Sequence, residues 1–142
     1  MRTIGPGAAV VSRAGRAWAR VAVRAGLVAS GVSRRVGLGA GSIIGGRVTL
    51  LLDPGALSAL AIGRRIVVVS GTNGKTTTSH LLAAALRTSG PVAHNATGSN
   101  MADGAVAALA AARGAEYAVL EVDEWHLVAR WPGRCGRRWW CC

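Results

Sequence analysis

The sequence predicts an α/β fold: a parallel sheet flanked by helices, of the P-loop type, preceded by an Arg-rich N-terminal helical arm. Three observations carry this reading. Ile66–Ser70 is an uninterrupted run rich in β-branched residues, the pattern of a parallel strand buried on both faces. A Gly-rich loop and a helix-period segment follow it directly. From there strand and helix alternate as far as residue 122, which implies crossover connections and hence parallel strands.

Taken in order, residues 8–30 read as a helix. Arg13, Arg16, Arg20 and Arg24 recur every three or four positions and share one face. Two readings of that face stay open: contact with an anionic membrane surface or partner, or a solvated stripe on a helix packed against its own domain. Residues 37–46 are Gly-rich and read as a linker, since no G-x-G-x-x-G follows a strand and opens a helix. Arg47–Leu52 suggests a short strand, Asp53-Pro54-Gly55 a turn, and Ala56–Ile62 a short helix.

The first sheet strand, Ile66–Ser70, leads through the loop into a helix over Thr76–Thr88, stopped by Gly90-Pro91. Val92–His94 reads as a second strand. Asp103 is a plausible N-cap for an Ala-rich helix through Arg113. Tyr117–Val122 reads as a third strand that ends in acids. Trp131–Cys142 shows no periodicity and no acidic residue.

Composition limits the functional classes. The chain has 142 residues, enough for one domain or part of a larger one. Charged residues make up 16%, too few for a disordered polyelectrolyte. The formal charge of +11 is unevenly placed: net +8 over residues 1–52, −1 over 53–129 and +4 over 130–142. A near-neutral middle with two basic ends argues against a protein given over to nucleic acid, and aromatic interleaving is confined to the tail. No run is long and apolar enough to span a bilayer, and no secretory signal is visible. An organellar transit peptide is the weaker reading of the acid-free front. Cys135, Cys141 and Cys142 form a C-x5-C-C pattern that fits no common zinc spacing, and a cysteine-free body agrees with a reducing cytoplasm.

The chemistry concentrates at Ser70-Gly71-Thr72-Asn73-Gly74-Lys75-Thr76-Thr77. A triphosphate needs several donors close to its oxygens. Glycines let the backbone curl so that successive N–H groups converge, and the following helix contributes its positive end. Lys75 reaches the phosphates as a mobile charge, and the Thr76 hydroxyl suits Mg²⁺. The strict P-loop places Gly where Val69 stands, so the loop is a shorter variant. Lys75 is the only lysine beside sixteen arginines, which points to a geometric requirement.

Glu121 falls inside an apolar run, where a carboxylate is costly unless it binds metal or meets a cation; it is the expected Mg²⁺ ligand. Asp123 and Glu124 are read chiefly as caps of a following helix. His94–Met101 is a polar loop after the second strand, where such sheets present ligand contacts; functional and turn-forming readings both stand. His80 is expected to pack or face solvent, and His126 has no evident partner.

The loop Gly71-Thr72-Asn73-Gly74-Lys75-Thr76-Thr77 resembles that of the Mur ligase superfamily. Together with Asn95-x-Thr97-Gly98-x-Asn100-Met101 and Leu120-Glu121-Val122-Asp123-Glu124, it is most similar to the MurT-type subunits of lipid II isoglutaminyl synthase. The resemblance covers about residues 8–130. It implies ATP on Gly71–Thr77, with Lys75 and Glu121 catalytic and Thr76 and Glu121 on Mg²⁺. Asn95, Thr97 and Asn100 would form a substrate loop. It also implies a cytoplasmic ligase that activates the D-glutamate α-carboxyl of lipid II, and a GatD-type glutamine amidotransferase partner that supplies ammonia. Peripheral contact with an anionic membrane is compatible, and no specific nucleic acid is expected.

The expected organisation is an Arg-rich helix and linker over 1–46, a partial Mur ligase central domain over 47–130, and an atypical tail over 131–142. The family's zinc ribbon and adenine pocket are not matched. The tail is read as the product of a frame slip or truncation, and the chain alone as inactive. The rivals are another Mur or folylpolyglutamate-type ligase, a cationic membrane- or nucleic-acid-binding protein, and a nonfunctional product.

Overall fold

The computed structural model of the chain describes residues 13–37, 42–96, 100–123 and 139–141. In chain order the elements are α1 (Arg13–Arg35), α2 (Ser42–Leu52), α3 (Ala56–Ala61), β1 (Arg65–Val69), α4 (Lys75–Arg87), β2 (Val92–His94), α5 (Ala102–Ala111), β3 (Tyr117–Glu121) and β4 (Trp139–Cys141). The α/β expectation holds, and every strand pairing is parallel.

The sheet order is β2-β3-β1-β4. The chain therefore steps across the sheet from β1 to β2 through α4, then back to β3 through α5. Two crossovers of one hand that run in opposite directions must lie on opposite faces. The core divides accordingly. Val69, Ala83 and Val119 pack on the α4 face with Val67, Leu82, Leu86 and Val92. Ile66, Val68, Ala93, Ala105, Leu109, Ala118, Leu120 and Val122 pack on the α5 face, with Leu57 and Leu60 of α3 against them. Side-chain alternation along β1 and β3 produces this division.

Three expectations are corrected. Arg47–Leu52 is helical, not a strand, and Gly45-Gly46 lie inside α2 rather than in a linker. These glycines serve close packing. A Cβ on Gly45 would strike Ser30 Oγ and the Gly26 carbonyl of α1, and one on Gly46 would strike the Asp103 carbonyl of α5. α2 is thus held between α1 and α5, a contact that no local propensity encodes. Second, Asp103 is not the N-cap of α5; Met101 is, and Asp103 sits buried in the first turn. Its Oδ2 accepts from Arg47 Nε at 3.1 Å and its Oδ1 from the Gly104 N–H at 2.8 Å. Third, the sheet has a fourth strand: Ile66, Val67 and Val68 pair with Trp139, Trp140 and Cys141. An open strand edge accepts any extended segment that reaches it.

α1 runs past its expected end at residue 30 to Arg35 and stops at Gly37, whose φ of 75° is left-handed. Arg34 and Arg35 in its last turn suit the negative end of the helix dipole. Residues 8–12, the start of the expected helix, lie outside the described residues, as do 124–138. Among the described residues no helix is long and apolar enough to cross a membrane.

Candidate functional site

β1 delivers the chain to Ser70, and the loop turns through Gly71–Gly74 into α4. Gly74 takes φ 77°, a left-handed conformation that a side chain would strain, and a Cβ there would meet nothing within 4 Å. The space over the loop is open. The N-terminus of α4 has no side-chain cap among the described residues, and its first turn, Lys75-Thr76-Thr77-Thr78, holds no acid. An uncapped positive helix end with one lysine is suited to an anion. Ser70 Oγ, at the base of the loop, is buried without a hydrogen-bond partner among the described residues. Thr72, Asn73 and Gly74 form the exposed tip of the loop, with Thr76 and Thr77 exposed beside it.

Sheet register places the acid. Val69, the last residue of β1, lies opposite Glu121, the last of β3. Glu121 shares the α4 face with Val119, so its carboxylate meets the first turn of α4. Thr76 Oγ1 donates to Glu121 Oε1 at 3.1 Å, and Glu121 is buried. Two residues on, Asp123 Oδ1 lies 3.2 Å from Lys75 Nζ. Lysine, hydroxyl and two carboxylates thus meet beside one open loop. A hydroxyl next to a carboxylate is an oxygen donor set of the kind Mg²⁺ takes. The residues present therefore fit a phosphate with its metal.

The polar loop after β2 supports this arrangement from below. Asn95 is buried; its Nδ2 donates to the Glu121 carbonyl and its Oδ1 accepts from the Glu121 N–H, both at 2.8 Å. This pair of hydrogen bonds fixes the backbone of the acid. The Asn100 carbonyl accepts from the Asp123 N–H at 3.1 Å. Thr97 lies outside the described residues, so of the expected substrate loop only Asn95 and Asn100 are seen, both bonded to the end of β3.

Sequence reasoning missed the direct pairing of Asp123 with Lys75. A signal was available: residues 121 and 123 lie on the same side of an extended chain. His94, which opens the polar loop read from the sequence, ends β2 on the α4 face. His94 Nε2 and Ser79 Oγ are 3.2 Å apart, the His80 ring stands edge-on at 4.7 Å, and His94 Nδ1 is buried without a partner among the described residues. Burial, then the nearby His80 and Arg87, hold the His94 pKa below its ordinary value.

Comparison with known proteins finds similarity over the same stretch of chain. Residues 69–135 match the Mur ligase middle domain. The match continues a few residues beyond Arg130, where the resemblance was expected to stop. Over 92 residues the chain is 42% identical to the MurT subunit of lipid II isoglutaminyl synthase (glutamine-hydrolyzing) of Streptococcus pneumoniae (strain ATCC BAA-255 / R6), covering 61% of this chain and 21% of that protein. It is 36% identical over 113 residues to the Staphylococcus aureus (strain N315) subunit of the same name, covering 77% and 25%. It is 44% identical over 69 residues to a UDP-N-acetylmuramate–L-alanine ligase of Nocardioides sp. (strain ATCC BAA-499 / JS614), covering 49% and 15%. The chain thus spans a quarter or less of the length of these curated relatives. No solved structure matches it. The resemblance to Mur ligases of the MurT type holds over the aligned part, and the parallel α/β fold is consistent with an incomplete Mur ligase middle domain.

Proposed function

We propose that this chain carries the ATP-binding part of a ligase subunit of peptidoglycan synthesis, acting in the cytoplasm. Its reaction is activation of the D-glutamate α-carboxyl of lipid II for amidation to D-isoglutamine. The ammonia comes from a GatD-type glutamine amidotransferase partner. The observation that carries this reading is the meeting of Thr76 with Glu121 and of Lys75 with Asp123 at the mouth of the Gly71–Gly74 loop. The similarity to MurT subunits supplies the reaction class.

In this reading the backbone of Gly71, Thr72, Asn73 and Gly74 and the first amides of α4 receive the phosphates, with Thr77 at the helix start. Lys75 leaves Asp123 and neutralises phosphate charge, a role for electrostatics rather than for bond-making. Thr76 and Glu121 hold Mg²⁺, and Asn95 keeps Glu121 in place through its backbone. ATP, when bound, supplies the phosphoryl group that turns an unreactive carboxylate into an acyl donor. Asn95 and Asn100, both bonded at the end of β3, mark the side from which substrate would approach, and Thr97 is joined to them by the resemblance alone. Because the relatives are much longer, ligation is expected of the longer protein and nucleotide binding of this chain.

The test is calorimetric titration of the 142-residue chain with ATP in the presence of Mg²⁺. Lys75→Ala is expected to abolish binding; equal affinity in the variant removes the proposed role of the loop. A second reading has its own support in the Nocardioides relative, a ligase that by name joins L-alanine. The discriminating measurement is phosphate release by the longer protein with ammonia or L-alanine as the only acceptor.

A further inference from the structure

Among the described residues, α1 carries two exposed rows that no other element covers. Its buried row, Ala19, Ala22, Val23, Gly26 and Ser33, faces the rest of the chain. At Gly26 it comes within backbone distance of Gly45 on α2. On the outside, Arg20, Arg24, Arg34 and Arg35 are exposed along one side of the helix. At 3.6 residues per turn these positions superpose over four turns. Next to them runs an apolar row: Val21 is 54% exposed, Val28 67% and Val32 56%.

The apolar row does not end with α1. Trp18, 53% exposed, donates its indole N–H to the Leu52 carbonyl at 2.9 Å. That bond joins the end of α2 to the row and brings in Leu51, 83% exposed. Residues 1–52 contain no Asp or Glu. The result is a strip of valine, leucine and tryptophan bordered by guanidinium groups, with no carboxylate on either helix to compete.

We propose that this strip seats the protein on an anionic membrane surface, α1 lying in the headgroup layer with Val21, Val28, Val32 and Trp18 turned inward. Charge complementarity selects the occupant. Arginines draw the helix to anionic headgroups, and the valines gain by leaving water. A nucleic acid would use the arginines and leave the valines wet. The inference rests on α1 and α2 alone and stands apart from the ligase reading.

Co-sedimentation of the 142-residue chain with vesicles tests it. One set is phosphatidylcholine; the other mixes phosphatidylcholine and phosphatidylglycerol in equal parts. The chain is expected to pellet with the anionic set only. Arg20→Glu with Arg24→Glu should cut partitioning at least about tenfold. Val21→Ser with Val28→Ser should weaken it several-fold while all charge is kept. These side chains are exposed, so thermal melts by circular dichroism should match the parent. A valine variant that partitions like the parent overturns the proposal, as does equal binding to both vesicle sets or to neither. So does duplex DNA that binds as strongly as the anionic vesicles and is indifferent to the valine changes. A dimer in vesicle-free solution that the valine variants dissociate would assign the strip to a second copy instead. ATP binding should be unchanged in all these variants, so failure here leaves the loop reading intact.

Discussion

Lys75 and Asp123 form a part-buried pair at the mouth of the loop, 3.2 Å apart. A phosphate that recruits Lys75 must first separate it from Asp123, and it then lies close to a carboxylate. Removing that charge should favour an anion. Asp123→Asn is expected to raise ATP affinity by about fivefold at low salt, as for a pair worth ~1 kcal/mol, and by less at high salt. Titration at two ionic strengths checks this; an unchanged affinity at both would mean that Asp123 does not compete for Lys75. Glu121→Gln keeps the shape and a hydrogen bond to Thr76 but loses the charge that a divalent cation needs. The variant should bind ATP with little dependence on Mg²⁺ while melting near the parent temperature. His94 gives a pH dependence. Its folded pKa lies below the ordinary value, so the folded state binds that proton less readily than the unfolded state. The stability it contributes is present above the ordinary histidine pKa of about 6.5 and is lost as pH falls through the lower folded value. Urea midpoints between neutral and mildly acid pH should fall for the parent and fall less for His94→Gln.

At the scale of elements, single polar groups fix whole helices. Arg64 is buried where α3 hands over to β1, and its guanidinium donates to the carbonyls of Leu109 and Ala112 at 2.9 Å and of Arg113 at 3.2 Å. Leu109 lies in the last turn of α5, where carbonyls run out of helical partners; the Ala112 carbonyl, just past the helix, also accepts from the Ala115 N–H at 3.1 Å. Arg64→Met would leave the buried Leu109 carbonyl without this partner, at a cost of about 1–3 kcal/mol, readable from urea denaturation; a loss below about 0.5 kcal/mol would show that solvent replaces the arginine. Glycines divide by neighbourhood. Gly46→Ala drives a Cβ into the Asp103 carbonyl and should destabilise by about 1–3 kcal/mol. Gly31, within α1, has open space where its Cβ would stand, so Gly31→Ala should stabilise by about 0.5–1 kcal/mol. The same contrast explains what was legible. The strands announced themselves because their burial on two faces writes a continuous apolar run into the chain. α2 did not, because Gly45-Gly46 has the composition of a linker and only the approach of α1 and α5 makes it helical. In the site, Lys75, Thr76 and Glu121 were readable from local motif. The grip of Asn95 on Glu121 and the pairing of Asp123 depend on β2 and β1 both flanking β3, which no short segment specifies.

At the scale of the whole molecule, β1 is the element on which the rest depends: it starts at Arg65, directly after Arg64, ends at Val69 before the loop, and pairs with both β3 and β4. β3 sets the acid against the loop. β4, from a segment with no predicted element, covers the other edge of β1. Without it, the N–H and C=O groups on that edge of Ile66, Val67 and Val68 would be open to water or to another chain. This has a consequence for the site, because the same strand that would be left open ends at Val69 and launches the loop. A chain stopped after residue 138 should therefore melt at a lower temperature than the full chain, by several degrees for a loss of about 1 kcal/mol. It should also associate with rising concentration, as exposed strand edges do. Calorimetric melts and light scattering over a dilution series measure the two effects together. Identical melts and scattering would show that β4 adds nothing to the stability of β1. A lower melt with no association would show that the bared edge is shielded by another part of the chain. If the loss is confined to stability, ATP titration below the new melting range should still find the loop competent, since β3 alone holds Glu121 opposite Val69.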